Sequence, residues 1–279
     1  MSISRPVKRI SAAVGAIALL AVGADLGLAI HAERNLANQI REEMNLPADP
    51  YVSLGGVAYS SSFFTGHWSS IQVRARDLEI EGFGLVSVES GAVDVEVPKS
   101  SVWSGDFDSA FTERYHTKLQ LDGLSLGRQF GFTDLAIQNH EDISPAGGWE
   151  TEAIFEATPP GWSAPAEVVV KLRILDGDAN FIPVEVLSGP ADAESEDVIR
   201  GDELSDDAAA EILPAFELVL TGAELPLRQR PTRIYVSGGS IFIEGDELYR
   251  LVSPEDFLPV ATPEPELGGE TARGDDASQ

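Results

Sequence analysis

Cysteine is absent from the 279-residue chain. Its absence excludes disulfide bonds, thiol nucleophiles, cysteine-ligated metal sites and lipid attachment through an N-terminal cysteine. Histidine is scarce, and the four histidines show no H-x-x-x-H or H-E-x-x-H spacing, so we expect no zinc site. The glycine-rich patterns that cradle nucleotide phosphates, G-x-x-x-x-G-K-[ST] and G-x-G-x-x-G, are also missing. We therefore expect neither a metal nor a cofactor.

Basic residues are few. The chain has 19 Lys and Arg against 46 Asp and Glu, which gives a formal net charge of -27. This charge opposes binding to nucleic acid and to anionic bilayer surfaces. Hydrophobic residues make up 43% of the chain, enough for one or two globular domains with a core. No regular alternation of strands and helices occurs, which argues against a parallel doubly wound enzyme fold.

The N-terminus combines a basic flank with an apolar run. Residues 1–9 contain Arg5, Lys8 and Arg9, and residues 10–30 are apolar except for Asp25. The segment is either a signal peptide cleaved after Ala24 or an uncleaved membrane anchor that extends to Ile30. The basic flank predicts a cytoplasmic N-terminus, with the following domain on the outer side of the cytoplasmic membrane, in the periplasmic cell envelope.

Two hydrophobic periods follow. Apolar residues recur at helical spacing from Asp25 to Met44 and predict an amphipathic helix that stops before Pro47. Beyond Pro50, apolar residues recur at every second position, as in a strand. In "IQVRARDLEIEG" they change from odd to even positions near Arg76–Asp77, which predicts a bulge. A similar change in "LVSVESGAVDVEV" indicates long, bent antiparallel strands. A hairpin is predicted at Gly238–Gly239.

Three further segments have a predicted conformation. The segment "DGDAN" resembles the start of a calcium loop, but Phe181 stands where that loop needs glycine, so we predict a hairpin turn. The acidic stretch from Gly189 to Asp207 is predicted to be a loop or disordered, and a short helix capped by Asp206 or Asp207 follows it. Residues 259–279 have the composition of a disordered acidic tail.

One short motif makes serine hydrolysis an alternative function. The segment "GLSLG", Gly123 to Gly127, matches the nucleophile-elbow pattern and makes Ser125 a candidate serine nucleophile. Asp134 and His140 follow within fifteen residues of Ser125, a spread too short for the usual hydrolase triad. We therefore predict a strand or turn with alternating leucines, no catalytic residue and no enzyme activity.

A basic island and an aromatic cluster are the candidate ligand contacts. The segment "LPLRQRPTRIY" carries Arg228, Arg230 and Arg233 without an acid, and arginine forks bind phosphate well. These arginines are either solubilising residues at a strand edge or contacts for phospholipid head groups. The aromatics of "SSFFTGHWSS" belong either to the core or to the entrance of a groove in contact with lipid. Gly66 within this segment is predicted to end a helical turn at Ser60–Thr65 and to lead into the strand Trp68–Glu81.

Two blocks of the sequence carry a resemblance to a known family. The first block consists of Val52, Leu54, Gly56, Val57, Tyr59, Gly66, Trp68, Ile71 and Val73. The later block consists of Leu225, Pro226, Ile234, Val236 and Gly239. At these positions the chain resembles the actinobacterial envelope phospholipid-binding family that includes the mannan chain-length control protein of mycobacteria. Ala58 and Ser60 depart from the family's pattern in the first block, and the acidic insert departs from it in the middle of the chain.

The resemblance implies an α+β tubular lipid-binding fold, in which a long curved antiparallel β-sheet wraps around an amphipathic helix. We expect this lipid-binding domain to span residues 25–258. Its implied partners are phospholipid, the cytoplasmic membrane and envelope mannosyltransferases, with a role in lipid-linked mannan elongation. A non-catalytic scaffold for glycosyltransferases is the alternative. The predicted groove residues are Leu36, Ile40, Met44, Val57, Tyr59, Phe63, Phe64, Trp68, Ile71, Val73 and Val95.

Overall fold

A computed structural model describes residues 5–44, 46, 48–56, 59–98, 109–140 and 151–259. The predicted tail beyond Pro259 and the predicted groove residue Val57 lie outside these residues. The side chain of Phe63 does as well.

The first helix is one continuous element. Helix α1 spans Arg5–Glu43, so the apolar segment and the amphipathic segment form a single rod of 39 residues, about 58 Å long. Its second half packs on the domain through a stripe at helical spacing. Leu26 and Ile30, which the helical spacing of apolar residues placed on this face, are instead 52% and 49% exposed. Leu26 precedes the packed part of α1, which begins at Ala29, and Ile30 lies beside the buried stripe. The buried stripe is Ala29, Ala32, Leu36, Ala37 and Ile40.

The first sheet, sheet A, is antiparallel and has the strand order β1-β2-β3-β4-β12-β11. Strand β1 (Tyr51–Gly55) follows α1, and helix α2 (Tyr59–Thr65) connects it to β2. Gly66 ends α2 in a left-handed conformation, φ 78°, as predicted. The other strands are β2 (His67–Ile80), β3 (Gly84–Glu96), β4 (Ala110–Leu121), β11 (Pro231–Ser237) and β12 (Ser240–Val252).

Bulges curl sheet A. The register of β2 against β3 shifts between Ala75 and Leu78, and Asp77 has a φ of 54°, so the predicted bulge is confirmed. Asp94 in β3 has a φ of 51°, and Val93 before it is exposed while Val95 after it is buried. The extra residue moves the apolar set to the other face at each site and bends the strand. The Gly238–Gly239 hairpin is also confirmed.

A second antiparallel sheet, sheet B, was not anticipated. Its order is β10-β8-β7-β6-β5, and a short strand β9 pairs with β8. The predicted hairpin turn at Asp176–Gly177 joins β7 to β8. Both sheets and α1 share one hydrophobic core. The strands are β5 (Ala136–Asn139), β6 (Glu152–Ala157), β7 (Ala166–Leu175), β8 (Asp178–Pro190), β9 (Val198–Arg200) and β10 (Leu218–Leu220).

The α+β class and the curled antiparallel sheet are confirmed, but two local predictions are wrong. The segment "GLSLG" opens helix α3 (Gly123–Phe130), because the Asp122 side chain accepts a hydrogen bond from the Ser125 amide and starts a helix. Helix α4 (Asp206–Ile212) exists as predicted, but its cap is Ser205, whose hydroxyl accepts from the Ala208 amide at 3.1 Å.

The acidic stretch is ordered rather than disordered. Strand β8 extends to Pro190, and Arg200 of β9 pairs with Ser188 of β8. A 3-10 turn at Gly201–Glu203 follows, and the half-buried Leu204 packs against the core. The acidic side chains are exposed, and the backbone of the stretch is held by strand pairing, by Leu204 and by a hydrogen bond from the Ser163 amide to the Ala193 carbonyl.

Candidate functional site

A cleft opens at the uncovered edge of β2. Strand β1 pairs with β2 only from Ser70 to Arg74, so the edge of β2 beyond Arg74 has no strand beside it. The bulge lies in this uncovered part. The space there is a cavity of 470 Å³, within the range of about 300–1,000 Å³ that is usual for small-molecule sites. Its lining residues are Leu46, Ala48, Asp49, Pro50, Tyr51, Arg74, Ala75, Arg76 and Leu78.

A second cavity continues this space along α1. It has a volume of 350 Å³, and it shares Asp49, Pro50 and Tyr51 with the first cavity. Its other wall is the α1 surface between Ile30 and Asn38. Together the two cavities form an elongated depression that follows α1 from the half-exposed Ile30 to the uncovered edge of β2. We call this depression the α1–β2 cleft.

The rim of the α1–β2 cleft carries an unpaired cation. Arg74 and Lys118 each lie 3.1 Å from the carboxylate of Glu89. Burial alone raises the pKa of the Glu89 carboxyl, but hydrogen bonds and charges from Lys118 and Arg74 outweigh burial and hold that pKa below its usual value. The charge of Arg74 is therefore compensated. Exposed Arg76 has no ion-pair partner among the described residues.

The predicted groove residues are mostly tightly packed. Met44 and Tyr59 are partly buried against the core, whereas Phe64 is 70% exposed. The apolar stripe of α1 and the inner face of sheet A therefore contact each other directly in this structure. Side chains with no more than 1% exposure are Leu36, Ile40, Trp68, Ile71, Val73 and Val95.

Two of the three predicted head-group arginines make polar contacts within the protein. Arg230 donates a hydrogen bond to the carbonyl of Asp176, and its side chain covers Gly177. Arg233 lies 3.3 Å from the carboxylate of Glu244. Half-buried Arg228 has a buried Nε without a hydrogen-bond partner among the described residues. Head-group binding by these arginines stays a prediction.

Ser125 occupies a structural position. It is 2% exposed, and its hydroxyl lies 2.6 Å from the carbonyl of Leu85 and 2.7 Å from the Asp122 carboxylate. The Asp134 carboxylate accepts hydrogen bonds from the amide and hydroxyl of Thr158, and His140 is exposed. The three candidate triad members thus have separate surroundings. Ser125 joins α3 to sheet A, and Phe130 at the other end of α3 contacts Phe181 of sheet B, with ring centroids 5.6 Å apart.

Replacing Ser125 by alanine should lower the free energy of unfolding by about 1–2 kcal/mol, because the hydroxyl of this buried serine bonds the Leu85 carbonyl and the Asp122 carboxylate. Urea denaturation followed by circular dichroism measures the change, with exposed Ser69→Ala as the control. A nucleophile would behave differently. In that case Ser125→Ala would abolish the hydrolysis of ester substrates and leave stability unchanged.

Sequence reasoning missed Leu46, Leu78 and Arg76 as members of a site. The parity change at Arg76–Asp77 was visible and located the bulge. It did not show that β1 begins opposite Arg74, at Tyr51, which is the feature that uncovers the β2 edge. The helix periodicity likewise ended at Met44 and gave no role to Leu46.

The described residues contain no group of three or more His, Cys, Asp or Glu side chains that could hold a metal ion. One helix in the described part of the chain is long and apolar enough to cross a membrane; it covers Ala13–Glu42, and an 18-residue window within it has a mean hydropathy of 2.2. A signal sequence has the same properties.

Comparison with known families gives one match, and it covers most of the chain. Residues 23–246 match the family described as LmeA-like phospholipid-binding. The match begins two residues before Asp25 and includes α2, the α1–β2 cleft, the arginine segment and both sheets except for the last six residues of β12. No curated protein and no solved structure shows significant similarity. Because the match spans far more than half of the 279 residues, the chain belongs to the LmeA-like phospholipid-binding family.

Proposed function

We propose that this protein binds a phospholipid with an acyl chain in the α1–β2 cleft and the phosphate near Arg76. The observation that supports this assignment is an elongated depression, lined by Leu46, Ala75 and Leu78, with a compensated and an uncompensated arginine at its rim. Apolar side chains suit the chain of the lipid, and a guanidinium suits its phosphate.

Apolar burial dominates the proposed affinity. Each methylene removed from water contributes roughly 0.8 kcal/mol, so part of one acyl chain outweighs an exposed ion pair. The net charge of -27 repels anionic bilayers, and Arg76 acts as a local exception. The arginine segment at Arg228–Arg233 is a second, separate candidate contact for the head group.

The proposed location is the outer side of the cytoplasmic membrane, with α1 as an uncleaved anchor. The basic residues before the apolar run support this orientation. Support of lipid-linked mannan elongation, in contact with envelope mannosyltransferases, belongs to the same proposal and is based on the family resemblance.

Native mass spectrometry of the full chain, released from detergent, tests lipid binding directly. We expect an adduct with the mass of one phospholipid that survives washing at high salt, because apolar burial is not screened as exposed charge pairs are. A protein free of lipid after mild purification would contradict the proposal and favour the scaffold alternative.

The absence of cysteine gives a clean test of orientation. A single cysteine at exposed Leu124 should react with a membrane-impermeant maleimide added to intact spheroplasts. Labelling only after lysis would place the domain on the cytoplasmic side.

A further inference from the structure

We propose that one end of sheet A rests on the outer leaflet of the membrane through which α1 passes, and that α2 holds it there. This proposal rests on the anchored topology proposed above. It adds a defined contact surface, which we call the membrane rim: Leu26 of α1, Phe64 of α2, Phe111 of β4 and Leu251 of β12.

Strand pairing places these elements at the same end of sheet A. His67, which follows α2 directly after Gly66, pairs with Glu96, and Glu96 pairs with Phe111. Phe111 in turn pairs with Leu251. The row crosses four neighbouring strands, so it spans about 14 Å. The backbone amide of Val97 also donates to the Gly66 carbonyl at 2.7 Å, which joins the end of β3 to the end of α2.

Large apolar side chains are exposed at this end. Phe64 is 70% exposed, Leu251 59%, Leu26 52% and Phe111 39%. Phe111 and Leu251 are direct cross-strand partners and therefore share one face. An apolar surface exposed next to a membrane-spanning helix indicates contact with lipid.

Asp25 ties α2 to α1 at the point where the apolar segment ends. Its two carboxylate oxygens accept hydrogen bonds from the backbone amides of Tyr59 at 3.0 Å and Ser60 at 2.6 Å. The one charge in the apolar run is thus used to hold the first turn of α2. Because Ala24 is adjacent to Asp25, α2 lies within one or two helical residues of the apolar segment, a few ångströms along the axis.

The same geometry places the β2 end of the α1–β2 cleft away from the bilayer. Along α1, Asp25 and Glu43 are separated by 18 residues, or roughly 27 Å. Along β2, His67 and Ala75 are separated by eight residues, or roughly 26 Å. The two lengths agree, and the Leu54 amide of β1 bonds to the Glu33 carboxylate of α1 at 3.0 Å between these two ends. The second cavity begins at Ile30, near the membrane rim, and the cleft leads from there to Arg76.

The occupant of the membrane rim is the lipid leaflet rather than another protein, because the rim is continuous with the apolar half of α1. Val22 and Leu20, which precede Asp25 in that half, are 58% and 73% exposed. The rim also carries Glu96 and the His67–Asp94 pair, so it offers no excess of positive charge. Docking should therefore require no anionic lipid.

Site-specific fluorescence tests the rim in the full chain. Phe64→Cys and Leu251→Cys variants, each labelled with an environment-sensitive fluorophore, are reconstituted in phosphatidylcholine vesicles that contain a nitroxide lipid. Leu124→Cys is the matched control, because Leu124 is 58% exposed and α3 contacts sheet A at Leu85, the end opposite to the rim. An interfacial label lies about 5–10 Å within the head-group and acyl boundary, so we expect at least about twofold quenching at both rim positions and little at the control.

Equal quenching at the three positions, or none at the rim, would overturn the proposal. A measured mass that corresponds to a mature protein starting at Asp25 would overturn it as well, because the apolar half of α1 would then be removed. Circular dichroism of each variant establishes that the domain is folded. Bound phospholipid is measured on the same samples by mass spectrometry. Lipid bound without quenching at the rim would refute this inference and leave the proposed function intact. Quenching at the rim without bound lipid would support the membrane contact and contradict the proposed function.

Discussion

Replacing Trp68 by alanine should lower the free energy of unfolding by about 3–5 kcal/mol, the usual cost of deleting a fully buried aromatic side chain. Trp68 is 1% exposed and belongs to the core shared by α1 and both sheets. The neighbouring Phe64→Ala variant should change stability by less than about 0.5 kcal/mol, because Phe64 is 70% exposed. Urea denaturation of the detergent-solubilised full chain, followed by circular dichroism, compares the two variants.

The two variants distinguish a buried core aromatic, Trp68, from an exposed aromatic, Phe64, that lies four residues earlier in the sequence. Similar losses of stability in both variants would mean that Phe64 packs against the domain, and the membrane rim would then lose its most exposed member. Lipid-quenching measurements on Phe64→Ala with a label at Leu251 would show whether β12 still reaches the bilayer without it.

Gly66 explains why Phe64 and Trp68 differ in exposure. Its positive φ ends α2 and reverses the chain into β2, so residues before it follow a helix on the surface and residues after it alternate across a sheet. The sequence predicted this turn from a single glycine between two aromatic groups. It left open which aromatics are buried, because their burial depends on packing against α1, which lies about thirty residues earlier in the chain.

Local signals in the sequence predicted the elements that local chemistry controls. The parity change at Arg76–Asp77 located a bulge, and paired glycines located the hairpin between β11 and β12. Wrong predictions arose where a local signal was ambiguous. Leu124 and Leu126 alternate as in a strand, but the Asp122 cap starts a helix there.

The candidate site could not be predicted because its walls are distant in sequence. Leu46 follows α1, whereas Ala75 and Leu78 belong to β2, and the cleft exists only because β1 does not begin until Tyr51, opposite Arg74. The second sheet has the same explanation. Alternation predicted its strands, but their division between two sheets depends on long-range pairing that periodicity does not encode.

Replacing Leu46 by aspartate should reduce phospholipid retention by roughly tenfold or more. Leu46 lines the α1–β2 cleft and is only partly buried, so the substitution places a charge beside the acyl chain without opening the core. Loss of contact with about two methylenes corresponds to about 1.6 kcal/mol, and every 1.4 kcal/mol is a factor of ten in affinity. Quantitative lipid extraction from the purified full chain measures the bound fraction.

Two matched controls distinguish cleft binding from a general loss of folding or charge. Leu124→Asp introduces the same charge at an exposed leucine of α3 and should leave retention unchanged. Arg76→Gln should weaken selection for anionic head groups without loss of acyl-chain binding, because it removes the rim cation and leaves the apolar wall unchanged. Arg200→Gln on exposed β9 should have no effect.

Full lipid retention in a folded Leu46→Asp protein would mean that the acyl chain does not bind in the cleft. In that case the lipid would have to lie between the buried stripe of α1 and the inner face of sheet A, and binding would require those two surfaces to separate.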